Sequence, residues 1–224
     1  IVKQAVDSTI CEEENASFAV NAVDVTNYQW QIDQGSGFND VSNNATFSGA
    51  NTAAISINNA GFDLNGSIFR VIATKSICID TSDEAVLTVN GLINLQNLKP
   101  TDTTCITATK DLQVKADGSI VNFQWQIFVP GMGYVDVPTA PPYTHLGHVL
   151  RISGVPDTLD GSRFRCIVNG ECDADTTTDV RLTVAPIPSV GLSPQDTFVR
   201  PGGIAVFKAE STSAGARYQW QAAP

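Results

Sequence analysis

The sequence predicts an all-β protein made of tandem antiparallel β-sandwiches, and three observations lead to this prediction. Only 16% of the 224 residues are charged, while Gly, Thr, Ser and Asn are plentiful, a composition typical of β proteins with many turns. Short segments alternate apolar and polar residues. A set of motifs also recurs with a period of 95 residues.

The period is clearest at the tryptophans. Trp30, Trp125 and Trp220 each lie in a Tyr/Phe-Gln-Trp-Gln segment, and successive tryptophans are 95 residues apart. A second motif, Leu-Asn/Asp-Gly-Ser-x-Phe-Arg, places Phe69 and Phe164 39 residues after the first two tryptophans. A Leu-Thr-Val segment ends both copies. Several landmarks in one register indicate repeated modules.

Within each repeat the apolar residues predict strands. Phe18, Val20 and Ala22 lie on one face of an extended segment, and Trp30 lies on the apolar face of the next. Asn, Gly and Asp clusters separate these segments, and no helical period of useful length appears. We therefore predict two-sheet sandwiches with inward tryptophans. The predicted core residues are Trp30, Trp125, Trp220, Phe69 and Phe164.

The repeat period also predicts the domain boundaries. Module 1 covers residues 1–90, module 2 covers 91–185, and module 3 covers 186–224. Module 3 contains only opening strands, so we interpret it as truncated; the alternative is that a strand from a partner chain completes it. We expect both ends of the chain to be cut from a longer protein.

One segment resembles immunoglobulin domains. Asp160-Gly161-Ser162-Arg163-Phe164-Arg165-Cys166 is similar to the strand-F signature Asp-x-Gly/Ala-x-Tyr-x-Cys, and the strand of Trp125 resembles strand C. Two positions differ from the signature: Phe164 replaces the tyrosine, and no cysteine lies near Leu112 or Val114. The resemblance implies immunoglobulin-like sandwiches.

A narrower resemblance covers nearly the whole chain. Its motifs are Tyr28–Gln31, Phe38, Asp40-Val41, Ser48–Asn51, Ile55–Ile57, Leu64–Arg70 and Leu87–Val89. Together they resemble the immunoglobulin-like repeats of large secreted surface proteins in Bacteroidetes. Such proteins include adhesins, gliding-motility surface proteins and multidomain polysaccharide-degrading enzymes. The resemblance implies an extracellular location and a spacer or adhesive module.

The chain has five cysteines. Superposing the repeats matches Cys11 with Cys105, and Cys78 with Cys172, so each repeat has one cysteine before strand B and one in the F–G region. We predict the disulfides Cys11–Cys78 and Cys105–Cys172, which would imply an oxidising compartment; the alternative is four free thiols. Cys166 is left over, and we predict a small buried side chain rather than a reactive or intermolecular thiol.

No constellation of catalytic groups is visible, so we predict that the segment is not an enzyme. A hydrolase would need a nucleophile, a base and an orienting group, and only His145 and His148 offer imidazoles. No Cys or acid lies at ligand spacing beside them, so we expect no metal and no cofactor. Calcium is the alternative, through oxygen-rich loops. These acidic residues are Asp80, Asp83, Glu84, Asp157, Asp160, Asp173, Asp175 and Asp179.

Two further sets of residues are candidates for binding or modification. Tyr134 and Tyr143 are the only plausible exposed ring pair for a sugar, with ordinary loop packing as the alternative. An Asp-Ser/Thr pattern resembles the O-glycan acceptor motif of Bacteroidetes surface proteins. It occurs at Ser8, Thr103, Thr158 and Thr176.

The charge and the motifs together favour a structural function. A net charge of −10 argues against nucleic acid and anionic membranes as partners, and no apolar run approaches the roughly 20 residues of a membrane span. The favoured function is an adhesive stalk, which contacts neighbouring modules and surface glycans or proteins. The alternatives are an accessory region of a secreted polysaccharide-degrading enzyme, and a filament or phage-type subunit that assembles by strand complementation.

Overall fold

The computed structural model describes residues 1–212 and 215–222. The chain forms two compact units. Unit 1 consists of Ile1–Gln96, Lys115–Phe123 and Ile167–Thr176, and unit 2 consists of Asn97–Val114, Gln124–Cys166 and the described part of Thr177–Pro224. Unit 1 therefore contains the first sequence repeat together with three segments of the second: residues 91–96, 115–123 and 167–176. The repeats and the compact units are different divisions of the same chain.

The first repeat forms two sheets. Its strands are β1 (Ser8–Cys11), β2 (Ala16–Ala19), β3 (Asn27–Asp33), β4 (Asn39–Asp40), β5 (Phe47–Ser48), β6 (Ala54–Ile57), β7 (Ser67–Lys75), β8 (Cys78–Thr81) and β9 (Ala85–Asn90). A 3₁₀ turn covers Phe62–Leu64. One sheet has the order β1-β9-β7-β3-β4, with β8 paired to β7, and the other has the order β2-β6-β5.

The strand β1 differs from the others in direction. It runs parallel to β9, with Ser8 opposite Leu87 and Cys11 opposite Asn90. The pairs β3–β7 and β7–β9 are antiparallel. Cys11 therefore lies at the end of the sheet where β9 leaves the first repeat.

The core of the first repeat lies between the two sheets. Trp30, Phe18, Phe69 and Ile55 are at most 1% exposed, because the period-two pattern directs each of them inward. The rings of Phe18 and Phe69 stack with centroids 5.0 Å apart. The Trp30 indole nitrogen donates a hydrogen bond to the Thr52 carbonyl at 3.0 Å, so the buried polar atom of the tryptophan has a partner.

The second repeat contains eleven strands, of which the pair β10–β13 belongs to unit 1. Its strands are β10 (Asn94–Gln96), β11 (Thr101–Cys105), β12 (Lys110–Gln113), β13 (Lys115–Asp117), β14 (Ile120–Val129), β15 (Gly133–Asp136), β16 (Tyr143–Leu146), β17 (Val149–Ile152), β18 (Arg163–Gly170), β19 (Ala174–Thr176) and β20 (Val180–Ala185). A 3₁₀ turn covers Asp157–Leu159. The sheets are β11-β20-β18-β14-β15 with β19 on β18, β12-β17-β16, and β10-β13.

Unit 2 repeats the packing of the first core. Trp125, Phe164, Leu150 and Leu182 are at most 1% exposed. The Trp125 indole donates to the Gly147 carbonyl at 3.1 Å, and β11 runs parallel to β20 as β1 does to β9. The predicted fold class, all-β with tandem immunoglobulin-like sandwiches, is confirmed.

The described part of the third repeat contains the strands β21 (Val190–Leu192) and β22 (Glu210–Ser211), which pair antiparallel. Trp220 is 56% exposed, so the prediction that it is a core residue is wrong for this structure. Within the described residues after Ala185 no second sheet covers the indole, and register alone does not bury a side chain. Among the described residues, no helix is long and apolar enough to cross a membrane.

Candidate functional site

The main feature of unit 1 is a disulfide between Cys11 and Cys172. The two Cα atoms are 5.7 Å apart, and the bond joins residues 161 positions apart in the sequence. Cys11 ends β1, and Cys172 lies in the turn between β18 and β19. The bond therefore joins the first repeat to a hairpin of the second.

The predicted pairing of Cys11 with Cys78 is wrong, and the reason is strand direction. Cys11 lies opposite Asn90, beyond the point where β9 pairs with the start of β7. Cys78 follows the other end of β7, opposite Lys75. The eight steps between the nine residues of β7 span roughly 26 Å at about 3.3 Å each, whereas a disulfide needs Cα atoms within about 7 Å.

The predicted pairing of Cys105 with Cys172 is wrong for a related reason. Cys172 belongs to unit 1 and is already bonded to Cys11, while Cys105 belongs to unit 2. Cys78 and Cys105 are exposed thiols. The ladders support the match of Cys11 with Cys105, but they place Ile77 rather than Cys78 at the position of Cys172. Equivalence within a repeat also does not say which ends of the strands meet.

Two carboxylates bind the linker between the first two repeats, residues 91–93, beside the disulfide. The Glu12 carboxylate accepts a hydrogen bond from the Leu92 backbone N–H at 3.2 Å. The Asp173 carboxylate accepts one from the Ile93 N–H, at 3.0 and 3.2 Å to its two oxygens. Each of these two carboxylates belongs to the residue that directly follows one of the bonded cysteines, Cys11 or Cys172. Hydrogen bonds to charged acceptors are among the stronger ones in proteins, so they fix the backbone of the linker.

The turn before β14 also binds the linker. Ser119 accepts a hydrogen bond from the Gly91 N–H at 2.9 Å on its hydroxyl, and its own N–H donates to the Gly91 carbonyl at 3.0 Å. Gly118 has φ of 115° and lies so close to Leu92 that a side chain there would collide with the Leu92 carbonyl. Glycine is therefore required at position 118 by both conformation and space.

The third cysteine position, Cys166, is an interior one. Its side chain is fully buried on β18, and burial raises the pKa of the Cys166 thiol to about 12. A thiol with such a pKa stays protonated at neutral pH, and the thiolate is the reactive form. The geometry therefore fits a small apolar core side chain.

In both repeats, side-chain hydrogen bonds connect an arginine to a glutamine and the glutamine to an aspartate on one sheet. The sequence analysis did not predict this Arg–Gln–Asp chain of hydrogen bonds. Arg70 donates from Nε to the Gln31 side-chain oxygen at 2.9 Å, and the Gln31 amide donates to Asp40 at 2.8 Å. The Arg70 guanidinium also lies 3.7 Å from the centroid of the Phe38 ring. The sequence signal for it is the glutamine that follows the tryptophan in each repeat.

The second repeat reproduces this chain. Arg165 donates to Gln126 at 2.9 Å, and Gln126 donates to Asp136 at 3.1 Å. Hydrogen bonds from Gln126 and then Gln124 lower the pKa of Asp136 below its ordinary value. The Arg165 guanidinium lies 4.0 Å from the ring centroid of Tyr134. The recurring glutamine thus connects neighbouring strands.

The two tyrosines suggested as a sugar platform lie in different sheets. Tyr134 is on β15 and its ring contacts Phe128, with centroids 5.3 Å apart. Tyr143 is on β16 and meets the buried Phe164 edge-on, with centroids 6.3 Å apart. Burial is the main cause that raises the pKa of both hydroxyls. Each ring therefore packs within unit 2, and the structure does not bring them together as a pair.

The candidate metal ligands are also separate. His145 is partly buried on β16 with Nε2 3.2 Å from the Pro138 carbonyl, and His148 is exposed in the following turn. No group of three or more His, Cys, Asp or Glu side chains is arranged to hold a metal among the residues the structure describes. Asp173, one of the acidic loop residues, instead binds the linker.

The four O-glycan candidates differ in exposure. Thr103, Thr158 and Thr176 are exposed, and Ser8 is partly buried on β1. The backbone N–H groups of Thr103 and Thr176 each bond to the preceding aspartate, at 2.9 and 2.7 Å. Three of the four hydroxyls are therefore open to modification.

Comparison with known proteins defines the fold. No protein-family model and no curated protein matches the chain. An I-band fragment from titin is similar with a TM-score of 0.60 and 12% identity, over 86% of this chain and 68% of that one. The first two Ig domains of DIP-gamma match with a TM-score of 0.57 and 15% identity, over 82% and 95%.

A third solved structure extends the comparison. The eight N-terminal Ig domains of Down Syndrome Cell Adhesion Molecule match with a TM-score of 0.54 and 17% identity, over 88% of this chain and 29% of that one. Identities at this level show the fold alone. The chain is similar to all three as a tandem of immunoglobulin-like sandwiches.

Proposed function

We propose that the chain is a non-catalytic, adhesive stalk region of a large extracellular bacterial surface protein. The observation that carries the proposal is the Cys11–Cys172 bond, with the hydrogen bonds of Glu12 and Asp173 to the linker. A linker between independent modules needs no such fixation. A covalent bond there suits a segment that must keep its length under tension.

Two further observations support an extracellular surface location. Disulfides persist in oxidising compartments and are rare in the cytosol. The repeat motifs resemble those of secreted Bacteroidetes surface proteins, and one protein of similar fold is a cell adhesion molecule. Neighbouring modules of the same chain, and surface glycans or proteins, are the partners that this role implies.

Single-molecule force spectroscopy tests the mechanical part of the proposal. With the bond intact, the 161-residue interval between Cys11 and Cys172 cannot extend, so pulling releases only the chain outside it. Adding a reductant should release roughly 580 Å more, at about 3.6 Å per residue. The control is Cys11→Ser/Cys172→Ser, which should give the long extension without reductant. Equal extensions with and without reductant would contradict a tension-bearing role.

Antibody labelling tests the location. Antibodies raised against the folded chain should bind intact cells of the bacterium that makes it, and brief protease treatment should remove the signal. A signal that appears only after lysis would refute the surface location, whatever the mechanical result.

A further inference from the structure

Three arginines lie together on the outer face of the sheet β11-β20-β18-β14-β15, within unit 2. Arg163 and Arg165 alternate along β18 with the buried Phe164 and Cys166, so both point away from the core. Arg181 on β20 lies directly opposite Arg163 in the antiparallel ladder. The chain as a whole has a net charge of −10, so this sheet face is a local exception to its acidic character.

Two aromatic rings lie beside the arginines. Phe128 on β14 and Tyr134 on β15 are directly opposite each other, and their rings meet edge-on. The Arg163 guanidinium lies 5.3 Å from the centroid of the Phe128 ring, and the Arg165 guanidinium lies 4.0 Å from that of Tyr134. Such cation–π contacts hold a guanidinium against an aromatic surface. We call Phe128, Tyr134, Arg163, Arg165 and Arg181 the arginine face.

The guanidiniums of the arginine face keep donors available for a ligand. Arg163 donates from Nε to the Asp179 carboxylate, and Arg165 donates from Nε to the Gln126 side chain. In the part of the chain that the structure describes, their terminal nitrogens make no hydrogen bond and Arg181 makes no ion pair. A guanidinium with open terminal nitrogens can bind a carboxylate through two parallel hydrogen bonds.

The first repeat shows that the fold does not require this charge. The ladder pair equivalent to Arg163 and Arg181 is Ile68 and Val86. Like charges directly opposite each other destabilise a sheet, so the arginine pair costs the second repeat stability that the apolar pair does not cost the first. A ligand that brings carboxylates to the arginines would offset this repulsion.

The position of Phe128 also distinguishes the two repeats. Asp33 occupies it in the first repeat, three residues after the tryptophan, and an aspartate there would repel an anion. In the second repeat the ring adds apolar surface beside the guanidiniums. An acidic sugar matches both features, since it carries a carboxylate on a ring whose faces present C–H groups, whereas an acidic peptide offers the charges without such a ring.

We propose that the arginine face binds an acidic polysaccharide through its carboxylate groups. The three guanidiniums bind the carboxylates, and Phe128 and Tyr134 contact the sugar rings. A polymer suits the open face of a sheet, because several weak contacts along one sugar chain reinforce each other. The inference rests on the proposed adhesive function and gives that function a ligand class.

Binding of the intact chain to polygalacturonate, alginate and hyaluronan, three carboxylated polysaccharides, tests the proposal. Biolayer interferometry at low ionic strength should detect binding to at least one of them, and the affinity should fall as salt is added, because salt screens exposed charges. Neutral dextran should not bind. Absence of binding to all three would overturn the proposal.

Two anionic polymers without acidic sugars test whether charge alone is recognised. Poly-glutamate and single-stranded oligothymidylate should bind more weakly than the best polysaccharide, because neither carries a carboxylate on a sugar ring. Binding of either polymer as tightly as that polysaccharide would overturn the assignment to a glycan.

A double variant transfers the ladder pair of the first repeat to the second. Arg163→Ile/Arg181→Val introduces residues that the same fold already accommodates at this pair, and it should weaken polysaccharide binding by about tenfold, since two charged hydrogen-bonding groups are lost. The control Arg151→Gln/Lys208→Gln also removes two positive charges, one from the other sheet and one from the third repeat. It should bind like the parent, and equal weakening in both double variants would overturn the proposal.

Phe128→Leu tests the contact with the sugar ring. It keeps every charge, so the affinity for the polysaccharide should fall several-fold while its dependence on salt stays unchanged; an unchanged affinity would refute the ring contact. All these variants retain Cys11 and Cys172, so the force experiment and the antibody labelling give their answers independently. A chain that bears tension but binds no acidic polysaccharide would overturn this inference and leave the stalk role standing.

Discussion

The hairpins that follow the long strands of successive repeats differ in their surroundings. We call Glu171–Asp173, after β18, the joined hairpin and Ile77–Ile79, after β7, the open hairpin. The joined hairpin carries Glu171 and Asp173 around a bonded cysteine, and Asp173 accepts a linker N–H. The open hairpin carries two exposed isoleucines around an exposed thiol. The hairpin of the second repeat is therefore bonded to Cys11 and to the linker, whereas the hairpin of the first repeat is exposed to solvent.

The largest difference concerns the cysteines. The double variant Cys11→Ser/Cys172→Ser should lower the free energy of unfolding by up to about 5 kcal/mol, because the chain-entropy model assigns that much to a loop of this length. Urea unfolding without reductant measures the change. Cys78→Ser is the matched control and should leave the monomer unchanged. Equal free energies of unfolding for the double variant and the parent would contradict the claim that the disulfide stabilises the fold.

The turn at Gly118, which contacts the linker, should be nearly as sensitive to substitution. Gly118→Ala should lower the free energy of unfolding by about 3 kcal/mol, since a non-glycine residue with positive φ is strained and its side chain meets the Leu92 carbonyl. The matched variant of the first repeat, Val23→Ala, alters an exposed side chain and should be neutral. Thermal unfolding compares them, and similar losses at both sites would mean that the two turns are equivalent.

The carboxylate of the joined hairpin should have an intermediate effect. Asp173→Ala leaves the Ile93 N–H without its charged acceptor, and the expected loss is about 2 kcal/mol. Amide hydrogen exchange at Ile93 should accelerate in parallel. Asp175→Ala is the control, because the Asp175 carboxylate accepts a hydrogen bond from the neighbouring Thr176 N–H and not from the linker, within the part of the chain that the structure describes. Unchanged exchange at Ile93 would show that the bond does not hold the linker.

The smallest effect belongs to the open hairpin in a single chain. Ile77→Ser changes a side chain that is 92% exposed, so the free energy of unfolding should shift by less than about 0.5 kcal/mol. Urea unfolding of dilute, reduced monomer measures it. A marked loss of unfolding free energy would show that Ile77 is buried within the chain, which would contradict the exposure of the open hairpin.

The cores followed from the sequence, whereas the connection between repeats did not. Alternation and the 95-residue register placed Trp30, Phe69, Trp125 and Phe164 in interior positions, because inward direction in a strand depends only on local pattern. Trp220 has the same pattern and is exposed, because burial also requires strands from elsewhere. A local sequence pattern determines towards which face a strand side chain points, whereas its burial also requires a second sheet packed on that face.

The cysteine pairing depended on information that a repeat alignment does not contain. Matching Cys11 with Cys105 and Cys78 with Cys172 was compatible with bonds inside each repeat. The parallel pairing of β1 with β9 takes Cys11 to the end where the chain leaves the first repeat. A bond between successive repeats follows only once that direction is known. The Arg–Gln–Asp hydrogen bonds could not be predicted for a related reason, since their three side chains lie on neighbouring strands whose pairing the local pattern does not give.

Peptide mapping of the purified monomer under non-reducing conditions tests the central claim most directly. Free thiols are first alkylated, the chain is then cleaved, and cross-linked peptides are identified by mass spectrometry. The structure predicts one cross-link, Cys11 to Cys172, with Cys78 and Cys105 alkylated. Cross-links of Cys11 to Cys78 and of Cys105 to Cys172 would contradict it and would return each disulfide to its own repeat.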